Sequence, residues 1–146
     1  MAGFTREITT KAPVERVWEV LGDIGNISRW NPGVVRSHVT TVKEIGIGAG
    51  RYCDLGGKNY LGEEVVEWEP GKTLTMRVIG TNLPFQTADI RFRLQPEHDA
   101  TVVTVSPEYT LKYGLAGRIL DVLYVRHTYK RGMAALLRGL KAQVEK

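Results

Sequence analysis

Apolar side chains recur at two different spacings along this chain of 146 residues. Near its start Val14, Val17, Trp18 and Leu21 fall three and four positions apart, which is the repeat of one helix face. Pro13 suits a first helical turn, where its missing N–H costs nothing, Glu15 favours the same end through the helix dipole, and Gly22 stops the run. Residues 23–29 read as a short second helix that Asp23 can cap and that Asn31-Pro32-Gly33 blocks. The period then drops to two. Strands are predicted at 34–42, 51–55, 60–69, 73–79, 85–94 and 101–109, with one more at 4–10 before the first helix, divided by turns rich in Gly, Pro, Asn and Asp. From near Leu115 to near Glu145 the helical repeat returns, placing Ile119, Val122, Leu123, Met133, Leu137, Leu140 and Val144 on one side. Gly132 and Gly139 lie inside this stretch, each costing about 1 kcal/mol relative to alanine, so a bend is expected near one of them. Two short helices, about seven antiparallel strands and one long closing helix can bury their apolar faces in few ways. The simplest is an α+β arrangement in which a curved sheet wraps the final helix and leaves a cavity between them.

Composition changes this picture little. Hydrophobic residues at 42% and charged residues at 25% are ordinary for a globular chain, and the length suits one domain over residues 1–146. No apolar run approaches the roughly 20 residues of a membrane span, and residues 1–7 lack the apolar core of a secretory signal, so a cytoplasmic protein without integral membrane association is expected. The lone Cys53 excludes an internal disulfide, and His38, His98 and His127 are too scattered to form a ligand set with it. No metal or cofactor is expected. The net charge of +4 comes from basic residues interleaved with acids, except for a local excess over residues 112–138. That basic helix flank could touch nucleic acid or a membrane surface; a solvated flank is the preferred reading, and no nucleic-acid partner is expected. Gly46-Ile47-Gly48-Ala49-Gly50 could cradle phosphate only with a helix after it, whereas a strand comes next, which makes it a hairpin turn.

Six segments in fixed order carry a resemblance over nearly the whole chain. They are Ala12-Pro13-Val14-Glu15-Arg16-Val17-Trp18, Trp30-Asn31-Pro32, Gly48-Ala49-Gly50-Arg51, Glu64-Val65-Val66-Glu67-Trp68, Leu83-Pro84-Phe85 and Leu140-Lys141-x-x-Val144-Glu145. Through them the chain resembles the START-like helix-grip superfamily (SRPBCC), and within it the bacterial polyketide cyclase/dehydrase and lipid-transport group. The resemblance implies a helix-grip fold and a cavity between sheet and long helix. Members include aromatase/cyclases, lipid carriers, plant hormone receptors and co-chaperones, with no catalytic residue common to all, so the resemblance speaks for binding before chemistry.

Strand alternation puts Tyr60, Gly62, Glu64, Val66 and Trp68 on one face, the more apolar one, and Glu63 on the other. Glu64 is then expected to point into the cavity, at a position where the resemblance implies an inward acidic residue, paired with an arginine at position 51. A buried carboxylate needs such a cation, because desolvating an isolated charge costs several kcal/mol. Arg126, and less directly Lys130, fall in the inward sector of the final helix, and Tyr109 is in phase with Val103 and Val105. Trp30, Met76 and Phe85, with Tyr60 and Trp68, are expected around the cavity, and Leu55-Gly56-Gly57 and Leu83-Pro84 at its mouth. The alternative for Glu64 and Arg51 is a purely structural pair fixing strand register. Cys53 has no nearby histidine to activate it, and no catalytic residue is assigned. The expected activity is binding of a small, mostly apolar, lipid- or polyketide-like molecule. The alternatives are an aromatase/cyclase or dehydratase using the same cavity, and an interaction module or co-chaperone; turnover and the choice between monomer and homodimer stay open.

Overall fold

The computed structural model describes residues 2–146. Its strands are β1 (Ala2–Gly3), β2 (Arg6–Thr10), β3 (Arg36–Val39), β4 (Gly50–Gly56), β5 (Asn59–Glu69), β6 (Thr73–Thr81), β7 (Phe85–Glu97) and β8 (Ala100–Leu111). All pair antiparallel in one sheet of order β1-β8-β7-β6-β5-β4-β3, with β2 also lying on β8. The expected first strand, 4–10, is ordered as β2 from Arg6 only, and a separate short strand β1 precedes it; between them the Phe4 N–H donates to the Pro107 carbonyl at 3.3 Å and its ring turns edge-on to Tyr129, 5.4 Å away between centroids. β1, not among the expected strands, is why the sheet has eight strands rather than about seven.

Helix α1 (Val14–Gly22) comes after β2, and a short 3₁₀ helix (Ile24–Arg29) comes after α1. Asp23 precedes that turn without capping its backbone; its carboxylate accepts instead from the Asn26 side-chain amide at 2.8 Å. After β8 the chain runs through α2 (Gly114–Leu120), a π turn (Asp121–Val125) and α3 (Arg126–Val144). The irregularity thus falls at Asp121–Val125 and not at either glycine. A π turn takes an extra residue per turn and so rotates the faces of α2 relative to those of α3. Ile119, Val122 and Leu123, expected on the buried stripe with Met133 and Leu140, are accordingly exposed, at 57%, 74% and 63%.

Leu136, Leu137, Leu140 and Val144 of α3 pack with Val17 and Leu21 of α1 and with Val65, Leu74, Met76, Phe92, Val103 and Val105 from the sheet's inner face. Gly139 permits the closest approach, because a Cβ there would stand 1.9 Å from the Trp30 carbonyl oxygen. At its C-terminal end α3 is tied to β2 by the Lys141 ammonium, which donates to the Thr9 carbonyl at 3.0 Å, and by Glu145, whose carboxylate accepts from the Lys11 N–H at 2.7 Å. The half of α3 nearer the π turn faces the sheet across a cavity.

Candidate functional site

Between the first half of α3 and the β4–β7 part of the sheet lies a cavity of about 460 Å³. Leu55, Leu61, Val78, Phe85, Ile90 and Phe92 supply its sheet wall, and Tyr129, Met133 and Leu136 its helical wall. Leu83, Pro84, Tyr124 and Val125 border it at the loop and π-turn end. The wall is largely apolar, with one charged pair set into it.

That pair is Arg51 and Glu63. The Arg51 Nε donates to Glu63 Oε1 at 2.9 Å, and Nη1 donates to the Ile24 carbonyl at 3.2 Å, with both side chains almost wholly buried. Arg51 and Glu63 sit directly opposite each other on β4 and β5. Glu64, expected in this place, faces the other way and pairs in register with Arg77 on β6. The reason is a β-bulge. Val65 faces Met76 and Glu67 faces Thr75, so Val66 is an extra residue in β5, and the inward set is Leu61, Glu63, Val65 and then Trp68. Alternation counted back from Trp68 crosses that bulge and emerges one residue out of phase.

Cys53, beside Arg51 on β4, points its thiol at Glu63 Oε1 at 3.8 Å. Burial, with the neighbouring carboxylate opposed by Arg51, pushes this thiol up to about 12. It is therefore protonated at neutral pH and is no nucleophile. Tyr129 is packed among the rings of Phe4, Phe85 and Tyr109, with centroids 5.3–5.6 Å away. Burial first, then the negative charge of Glu63, raises its hydroxyl well above the ordinary tyrosine range. Both groups can give or take hydrogen bonds in the cavity as neutral species.

The other expected site residues distribute differently. Arg51 and Phe85 line the cavity. Tyr60 lies on the outer face, stacked on Tyr52 at 5.9 Å, in a row completed by His38. Trp68 is inward but beyond the cavity, edge-on to Trp18 at 4.9 Å and against Gly22. Met76 is fully buried core, and Trp30 is core beneath Gly139, its indole N–H without a partner. Tyr109 and Arg126 belong to a second cavity of about 500 Å³ between the end of β8 and α2. There the Tyr109 hydroxyl donates to Asp121, which is 6% exposed, and Arg126 Nη2 donates to the same carboxylate at 3.2 Å. Burial and then the bond to Asp121 raise the Tyr109 hydroxyl to about 12. Of the expected mouth, Leu55, Leu83 and Pro84 border the cavity, and Gly56 and Gly57 beside them take left-handed φ of 93° and 60°. Two groups of the wall escape the sequence reading. Glu63 is hidden by the bulges, whereas Tyr129 is legible, lying four and seven positions before Met133 and Leu136.

A family model described as polyketide cyclase / dehydrase and lipid transport matches residues 1–145. A comparison with curated protein sequences finds no significant match. Among solved structures, a START superfamily protein from Mycobacterium smegmatis superposes with TM-score 0.81 at 15% identity, over 98% of this chain and 97% of that one. A protein of Thermus thermophilus gives TM-score 0.81 at 22% identity, over 98% and 97%. The Zhui aromatase/cyclase from a Streptomyces species gives 0.77 at 16% identity, over 99% and 93%. At such identities what is shared is the fold, a helix-grip arrangement of curved antiparallel sheet and long C-terminal helix.

Proposed function

The chain belongs to the polyketide cyclase/dehydrase and lipid-transport family, and on that premise we propose that it binds a small, mostly apolar molecule in the cavity between β4–β7 and α3. The observation that carries the proposal is an apolar cavity of about 460 Å³, within the usual size of small-molecule sites, whose wall holds a single buried ion pair. Apolar walls supply affinity without direction. Arg51 and Glu63 supply the direction: a ligand hydroxyl can donate to the carboxylate, and a ligand carbonyl can accept from the guanidinium. Tyr129 adds a neutral hydroxyl on the helical side. Such a ligand has one polar end and an apolar body, as lipids and polyketide chains do. With Cys53 and Tyr129 both held neutral, these groups serve to orient a guest better than to attack one, which supports holding over turnover.

Native mass spectrometry of the purified protein beside its denatured spectrum tests the proposal. The expected result is a discrete mass excess that disappears on denaturation and is missing from Gly132→Phe. Gly132 lines the cavity with nothing within 4 Å of the place a Cβ would take, so an aromatic side chain can start there without meeting backbone and occupy space beside the wall. A bare protein mass, together with no thermal shift on adding fatty acids or aromatic polyketides, would overturn it. If the cyclase activity is present instead, the wild type but not Gly132→Phe will shift the product distribution of a spontaneously cyclising polyketide toward one ring pattern.

A further inference from the structure

The segment between β8 and α3 shows solvent the wrong face. Leu115, Ile119, Val122 and Leu123 stand at i, i+4, i+7 and i+8, and they are 73%, 57%, 74% and 63% exposed. Tyr124, also 64% exposed, continues this apolar face to the rim of the cavity, which it helps to line. The charges around the stripe are of one sign. Lys112, Arg118 and Arg131 are exposed beside it in the chain, Arg126 being held by Asp121 and Lys130 standing over the Phe4 ring, and the only acid in residues 112–131 is Asp121, which is buried and already bonded to Tyr109 and Arg126.

We infer that residues 113–124 form an in-plane docking surface for a lipid bilayer rich in anionic headgroups, with the cavity mouth held against the bilayer. An amphipathic element with an apolar stripe and basic flanks enters the headgroup boundary by burying the stripe and neutralising the flanks. A second copy of the chain fits this face less well. A two-fold contact would bring Arg118 and Lys112 of each copy against a surface of like charge, with no free acid in the stripe to meet them. Nucleic acid would meet the cations and leave the apolar stripe in water. No helix among the described residues is long and apolar enough to cross a membrane, so the segment lies on the bilayer and does not span it. The basic excess that reads from sequence as a solvated flank is, in this arrangement, the rim of an apolar surface.

Co-sedimentation of the full chain with extruded vesicles tests the inference, using phosphatidylcholine alone and phosphatidylcholine with about 30 mol% phosphatidylglycerol. The protein should pellet with the anionic vesicles, less with the neutral ones, and be released by raised salt. Leu115→Ser/Ile119→Ser/Val122→Ser should keep the thermal midpoint, since all three side chains are exposed, and lose vesicle partitioning by at least about ten-fold. Val42→Ser, at a fully exposed apolar site elsewhere, should leave binding unchanged. Gly132→Phe should also pellet normally, which separates this surface from the cavity reading. Wild-type protein remaining in the supernatant with both vesicles, or a triple variant that pellets like wild type, would overturn the inference. So would a lipid-free dimer in sedimentation velocity that the triple variant dissociates, because a second copy would then own the face.

Discussion

Replacing both members of the Arg51–Glu63 pair with apolar residues should cost less stability than replacing either alone. At 2.9 Å the two charges attract by about 6 kcal/mol if the effective dielectric constant is about 20. Burying each ion forfeits several kcal/mol of hydration, so the pair as a whole is close to neutral against well-packed apolar side chains. The single variants are different, since each strands a charged side chain that is itself only 3–4% exposed. Glu63→Leu should cost about 3–5 kcal/mol, and Arg51→Met a similar amount, the latter also removing a donor to the Ile24 carbonyl. Arg51→Met/Glu63→Leu should fall within about 2 kcal/mol of wild type. Urea denaturation with linear extrapolation measures all four, and equal slopes confirm that the denatured states compare. If the double variant instead costs the sum of the singles to within about 0.5 kcal/mol, the two groups are independent and the pairing argument fails. A pair of no net benefit to stability needs another reason to exist. The double variant, folded but with an apolar patch where the charges stood, should lose the native mass excess expected of the wild type.

Three further outcomes rest on single positions. Gly132→Ala and Gly139→Ala are the same substitution on the same helix and should have opposite signs: the first gains about 1 kcal/mol and about 4 °C, because nothing stands within 4 Å of the new Cβ. The second costs about 2 kcal/mol or more, because its Cβ would meet the Trp30 carbonyl; thermal melts that move both the same way would refute the packing account. Cys53, with its thiol held up to about 12, should resist an aromatic disulfide reagent at pH 8 in the native state and react at once in guanidinium; rapid native labelling would contradict the burial described. Glu145 is held below the ordinary carboxylate range by the Lys141 ammonium and then by the Lys11 N–H. A depressed folded-state value means that its contribution is present above the unfolded pKa and lost as pH falls through the folded one. The stability gap between wild type and Glu145→Gln should therefore close on acidification below the carboxylate range, and a gap that is constant with pH would exclude this linkage.

The architecture was legible in the sequence because it rests on periods that hold over long stretches. The switch from alternation to helical spacing near Leu115 and the stop at Asn31-Pro32-Gly33 put the elements in their places to within a few residues. The candidate site was legible only in part, for reasons that can be named residue by residue. A two-residue turn at Gly57-Lys58 pairs Gly56 with Asn59, and an unbroken ladder from there would set Arg51 opposite Glu64. Leu55 is an extra residue in β4 and moves the pairing to Glu63. Val66, the extra residue of β5, shifts the inward phase by one in the same direction, so two independent ways of counting agree on the wrong glutamate. On the helix the π turn does the same to Ile119, Val122 and Leu123.

These breaks in period are not scattered at random over the fold. Leu55 lines the cavity, Val66 comes soon after the wall residues Leu61 and Glu63, and the extra residue of β6, Ile79, adjoins the wall residue Val78. The π turn contributes Tyr124 and Val125 to the rim. A regular sheet and a regular helix with apolar facing surfaces would close on each other until the space between them filled with side chains. Bulges bend a strand and increase its local twist, and a π turn interrupts the regular helix, so neither surface can close uniformly on the other. The same irregularities that conceal Glu63 from a periodic reading lie at the cavity end of β4–β7 and of the helical segment, while Gly139 packs against the Trp30 carbonyl at the other end. Removing one should therefore shrink the cavity: deletion of Val66 would restore strict alternation in β5 with Leu61, Glu63, Val65 and Trp68 still facing inward, so Arg51 would keep its partner while the cavity loses volume.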